Sequence, residues 1–110
     1  MEIVQEKTND IVIIKLIGKL DSNTASQLES SLMPIIDAGE KKIIVDGVQL
    51  DYISSAGLRV LLMAAKKLKA VEGKIVLSSL KDYIKEVFEI AGFNMIFSIY
   101  GDIKEAEAAF

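Results

Sequence analysis

The sequence predicts an α/β domain in which a mixed, mostly parallel sheet of about five strands carries four helices, in the order β-β-α-β-α-β-α-β-α. Three observations point there. Short β-branched runs at residues 11–17, 43–45 and 75–77 alternate with stretches whose apolar residues recur at helical spacing. Ser, Thr, Asp and Gly residues punctuate the boundaries between them. Strands that alternate with helices are joined by right-handed crossovers, which makes the sheet mainly parallel. A chain of 110 residues supports one domain, residues 1–110.

The elements follow in order. Ile3, Gln5 and Lys7 alternate with Glu2, Val4 and Glu6, a weak strand signal, and Asn9-Asp10 makes a turn. Residues 11–17 are nearly all apolar, the mark of a buried strand, and Gly18 ends it. Two strands across a two-residue turn read as an antiparallel hairpin. Asp21-Ser22-Asn23-Thr24 opens a helix, with Thr24 and Gln27 fitting a capping box. Ala25, Leu28, Leu32, Ile35 and Ile36 form its apolar face, Pro34 should kink or loosen its last turn, and Gly39 stops it.

Residues 42–46 are a short buried strand, followed by a loop over residues 47–53. Ser54-Ser55 opens the clearest helix. Leu58, Leu61, Leu62, Ala65, Leu68 and Val71 form its inward stripe, and Gly73 ends it. Residues 74–77 form another strand, after which Ser78-Ser79 can cap a helix faced by Tyr83, Ile84, Val87, Phe88 and Ala91. Residues 95–100 are a last strand and 102–108 a short final helix.

Composition excludes much. There is no cysteine, hence no disulfide framework and no thiolate chemistry, and no histidine, hence no Ser–His–Asp triad. The net charge of −3 disfavours direct nucleic-acid binding. The longest apolar run, residues 60–65, falls far short of the roughly 20 residues of a membrane span. The N-terminus Met1-Glu2-Ile3 has no signal-peptide pattern, and the expectation is a cytoplasmic protein. Basic residues concentrate between Lys41 and Lys85, read as a lysine-rich solvated helix face. Asp21, Asp46 and Asp51 sit at strand ends and loops. They are read as caps and loop acceptors rather than metal ligands, and no cofactor is expected.

One segment stands out. Leu50-Asp51-Tyr52-Ile53-Ser54-Ser55-Ala56-Gly57-Leu58-Arg59 joins a loop to a helix N-terminus and carries two adjacent serines. One serine suffices for the cap. The other hydroxyl is left beside free N–H groups and the positive end of the helix dipole, where a phosphate is stabilised. Phosphorylation there adds about −1.5 to −2 charges.

Tyr52-Ile53-Ser54-Ser55-Ala56-Gly57-Leu58-Arg59-Val60-Leu61-Leu62 resembles the signature of STAS domains, in particular the bacterial anti-sigma factor antagonists. Gly18-Lys19-Leu20-Asp21 with Thr24-Ala25 and Leu28, Lys42-Ile43-Ile44-Val45-Asp46-Gly47-Val48, and Gly73-Lys74-Ile75-Val76-Leu77 resemble further family segments in the same order. The resemblance spans essentially the whole chain. It implies a regulatory protein that, unphosphorylated, binds an anti-sigma factor serine kinase and releases the sigma factor. The kinase inactivates it by phosphorylating a serine, and a PP2C-type phosphatase reverses this. Aligned on Gly57-Leu58, the resemblance places the phosphorylated serine on Ser55, with Ser54 where many members carry aspartate.

The partner surface expected from this is Asp21, Ser54, Ser55, Arg59, Val60, Met63 and Lys67, with Val60 and Met63 as outward apolar residues. The free protein is expected to be a monomer and not an enzyme. The competing readings are a STAS interaction subunit of a lipid-transport or stress-sensor complex that is never phosphorylated, and a small enzyme or nucleotide-binding protein. The absence of His, Cys and a phosphate loop disfavours the last.

Overall fold

The computed structural model describes every residue from Met1 to Phe110. β1 (Glu2–Thr8) and β2 (Ile11–Leu20) form the hairpin, followed by α1 (Ala25–Asp37), β3 (Lys42–Ile53), α2 (Ser55–Ala70), β4 (Lys74–Ser78) and α3 (Asp82–Ile90). A single 3-10 turn (Phe93–Met95), β5 (Ile99–Tyr100) and α4 (Ile103–Glu107) complete the chain. The five strands lie in the order β1-β2-β3-β4-β5, with β1 antiparallel to β2 and every other pair parallel. The predicted fold is borne out.

Strand alternation sorts side chains onto two unequal faces. Val12, Ile14 and Leu16 of β2, Ile43 and Val45 of β3, and Ile75 and Leu77 of β4 join Leu28, Leu32, Leu61, Leu68, Ile84 and Phe88 in the main core. Three helices therefore cover one face. On the other, Ile11, Ile13, Ile44 and Val76 pack with Ala106, Ile103 and Phe110, so α4 and the C-terminus alone cover that side. Phe88 meets Phe97 edge-on, with centroids 5.9 Å apart, closing the main core under α3.

Several boundaries differ from expectation. β2 does not end at Gly18 but runs to Leu20, because Gly18 at φ +105° absorbs a shift of register that a side chain would strain. The stretch expected as a loop, residues 47–53, continues β3, pairing Gln49 with Ile17, Leu50 with Gly18 and Ile53 with Leu20. Pro34 lies inside α1, which nonetheless runs on to Asp37. Its face is exposed, so the missing N–H is not a buried loss. The last strand is only Ile99–Tyr100, since Phe93–Met95 coils into the 3-10 turn.

Two cap expectations also fail. Thr24 does not cap α1 with its hydroxyl; that oxygen accepts from Asp21 N (2.9 Å) and donates to Lys19 O (2.8 Å), while Gln27 Nε2 donates to Met1 O. Ser78 and Ser79 do not cap α3. Ser78 is the last residue of β4, Ser79 takes φ +61°, and the residue before α3 is Lys81, whose side chain makes no cap bond.

Candidate functional site

The two serines divide between structure and exposure. Ser54 is the N-cap of α2, in extended conformation (φ −97°, ψ 170°), and its Oγ accepts from Gly57 N at 3.2 Å. Its own N–H donates to Leu20 O at the end of β2 (2.8 Å), and its carbonyl accepts from Leu58 N (3.0 Å). Main chain thus nails the start of α2 to the end of β2. Gly57 makes the close approach possible: a Cβ there would lie 2.6 Å from Leu20 Cγ and 2.9 Å from its Cδ2. Leu20 is fully buried in the main core, so moving it aside disturbs close packing.

Ser55, the first residue of α2, is exposed, and its hydroxyl joins no hydrogen bond within the protein. The first turn of α2 contains no acidic residue to neutralise the positive end of the dipole. An anion on Ser55 Oγ therefore meets the positive end of the helix, with no carboxylate in the first turn of α2 itself. Arg59, one turn further along α2, is exposed and forms no ion pair within the protein.

Asp21 stands beside this start because Leu20 does. Its Oδ1 accepts from Thr24 N (3.0 Å), Asn23 N (2.9 Å) and Thr24 Oγ1 (3.2 Å), closing the β2–α1 turn. The Thr24 N–H, then that of Asn23 and the Thr24 hydroxyl, hold its carboxyl below the ordinary 3.8, against some desolvation. Its role within the protein is a turn acceptor.

On the far side of the site, Asp51 of β3 is joined to α3. Lys81 Nζ donates to Asp51 Oδ1, and Tyr83 Oη donates to Asp51 O (2.9 Å). The Asp51 carboxylate correspondingly raises the Lys81 ammonium above its ordinary value. No local pattern in the sequence marks Lys81 and Tyr83 as neighbours of Asp51; the link spans some thirty positions and joins the end of β3 to the start of α3. The third aspartate, Asp46, is buried on the α4 face, where its Oδ1 accepts from Val48 N. The three aspartates are held apart in separate hydrogen-bonding roles.

Of the expected contact row along α2, Ser55, Arg59 and Met63 share an exposed stripe at intervals of one turn. Val60 does not join them. It is 5% exposed and belongs to the core with Leu28 and Leu32 of α1. α1 packs alongside α2 and covers a flank that a single-stripe reading leaves in solvent. The buried positions are accordingly Gly57, Leu58, Val60, Leu61, Ala64 and Leu68, while Leu62 and Ala65 are half-buried and Val71 is exposed. Lys67 points to the same flank, where its Nζ pairs with Asp37 Oδ1 of α1 at 2.7 Å.

Comparison with known proteins gives the family and the fold. The STAS domain family model matches residues 2–106. BtrV of Bordetella bronchiseptica, which carries the name of an anti-sigma factor antagonist, is 44% identical over 110 residues, covering 100% of this chain and 95% of its own. A Thermotoga maritima structure described under the same role superposes with a TM-score of 0.93 at 21% identity, over 97% of this chain and 92% of that one. SpoIIAA of Bacillus, solved in its phosphorylated form, superposes with a TM-score of 0.77 at 24% identity over 98% of each chain. At these identities the two structural likenesses speak to the fold.

Proposed function

This chain belongs to the STAS-domain family, and from that premise we propose that it acts as an anti-sigma factor antagonist switched by phosphorylation of Ser55. Unmodified, the protein docks on an anti-sigma factor that is also a serine kinase, and so frees the sigma factor. The kinase transfers the γ-phosphoryl of ATP to Ser55 Oγ, the bond to the β-phosphate breaks to release ADP, the hydroxyl proton leaves, and the complex separates; a PP2C-type phosphatase restores the hydroxyl by hydrolysis, with water as acceptor and inorganic phosphate as product. The reading draws on a relative named for this role at 44% identity along the full chain.

The observation that carries the site is the unused, exposed hydroxyl of Ser55 on the first turn of α2, next to a different serine that already makes the cap. Ser55, Arg59 and Met63 form the centre of the docking surface, with Ser54 and Asp21 holding its backbone and Lys67 at its edge. Val60 acts only from beneath, by packing. A phosphate on Ser55 is stable at the helix N-terminus in water. In a closed interface it has to lose hydration and fit its bulk without a matching cation from the partner, which is costly, so affinity falls.

The reading further includes a monomeric free protein, acting in the cytoplasm; no helix is long and apolar enough to cross a membrane. The test is intact-protein mass spectrometry after incubation with ATP and the source organism's anti-sigma factor kinases. One added phosphate, lost in Ser55→Ala and retained in Ser54→Ala, is the expected result. No phosphate with any of these kinases sinks the switch and leaves a constitutive interaction module.

A further inference from the structure

A second surface lies at the opposite end of α2. A groove of about 480 Å³ runs between the second half of this helix and the segment around the 3-10 turn. Its floor is apolar, made by Leu62, Ala65 and Ile75. Met95 and Ile96 form the facing wall and are exposed by 86% and 52%, unusual for side chains of that size on a small domain. Three lysines, Lys66, Lys69 and Lys74, line it with no carboxylate among the lining residues, and none of the three takes part in an ion pair. Elsewhere on the molecule six lysines do find acidic partners.

An apolar trough edged by unpaired ammonium groups is complementary to one kind of occupant. We propose that this groove binds an acidic amphipathic segment of a partner protein, its apolar side chains on Leu62, Ala65 and Met95 and its carboxylates on the lysines. The trough is open along one side, so a small ligand would remain half in water, whereas a helix or strand brings its own cover. It is also concave: a flat bilayer reaches Met95 but not Ile75, which is 5% exposed at the floor. The net charge of −3 does not oppose this, because at physiological ionic strength charges beyond about 8 Å are largely screened and the local lysines set the field.

The groove is separate from the serine site. Lys66 lies eleven positions after Ser55 on the same helix, roughly 16 Å along its axis. An occupant there does not cover Ser55, so one copy of the protein has room for two partners at once. The inference stands on its own and does not depend on phosphorylation.

The test uses the full-length, isotope-labelled protein, titrated with a synthetic helical peptide of about five turns bearing a leucine stripe flanked by glutamates. A matching peptide with lysines in place of glutamates and vesicles of phosphatidylglycerol serve as the other arms. Saturable amide shifts confined to the groove, absent with the basic peptide, are expected. Lys66→Glu with Lys69→Glu should weaken binding about tenfold, from two surface pairs lost and two reversed. Met95→Ser, at a position too exposed to threaten folding, should weaken it severalfold, showing that the apolar wall contributes. Scattered or absent shifts, binding unchanged in these variants, or binding to vesicles alone would overturn the proposal.

Discussion

Replacing each of the two serines by alanine separates the residue that holds the helix from the residue that is free to signal. In Ser54→Ala, Gly57 N loses its only side-chain acceptor, and α2 begins on an uncapped turn. Loss of a serine N-cap costs about 1 kcal/mol, within a range of roughly 0.5–2. In Ser55→Ala nothing is lost inside the protein, because that hydroxyl has no partner there, and alanine is the better helix former by up to about 0.5 kcal/mol. The two variants should therefore differ by about 1–1.5 kcal/mol, with Ser54→Ala the weaker. For a domain of this size that is a separation of about 4–8 °C in Tm, and a clear shift in urea midpoint at constant slope. Equilibrium urea unfolding followed by far-ultraviolet circular dichroism measures it without any partner. Equal stabilities, or a larger loss in Ser55→Ala, would refute the division of roles and with it the reason for placing the switch on Ser55. Ser55→Glu extends the test: a carboxylate on the first turn should stabilise the fold by about 0.3–1 kcal/mol while lowering affinity for the kinase, two effects of opposite benefit from one charge.

Three further expectations follow from the same geometry. Gly57→Ala drives a methyl into Leu20, and the overpacking, about 1–3 kcal/mol, should exceed the helix-propensity gain of roughly 1, giving net destabilisation in urea and disturbed amide shifts at Ser54 and Leu20. Ser78→Ala removes a fully buried hydroxyl that has no hydrogen-bond partner, and should raise stability by about 1 kcal/mol, read as a higher urea midpoint. Asp21, whose folded carboxyl titrates below 3.8 because Thr24 and Asn23 donate to it, contributes stability that is present above that pH and lost as pH falls through the lowered value. Asp21→Asn should therefore flatten the acid limb of a stability-versus-pH curve below about pH 4 relative to the wild type, and leave the shape of the curve near neutrality unchanged.

The sequence was most legible where one physical signal acted alone. The β-branched run at residues 11–17 has no reading other than a buried strand, and the motif around Ser54-Ser55 announced a helix start and an extra hydroxyl. It was least legible where a neighbour distant in the chain decides. Val60 looks outward until α1 is laid beside α2. Residues 47–53 look like a loop until β2, bent past Gly18, offers them an edge to pair with. Thr24 has the right chemistry and spacing for a cap, but the strand-end carbonyl of Lys19 captures its hydroxyl first. At the site, the two serines were visible, while Lys81 and Tyr83 were not, since only the sheet brings them to Asp51.

The bond from Ser54 N to Leu20 O joins main chain to main chain. Such an anchor is blind to side-chain identity. Positions such as Tyr52, Arg59 and Met63, exposed around it, are free to vary without moving Ser55, the serine proposed as the phosphorylation site. On the proposed reading, a cell with several proteins of this design keeps their signalling circuits from crossing by changing those outward residues alone, since the address is written on the surface while the switch is mounted on the frame.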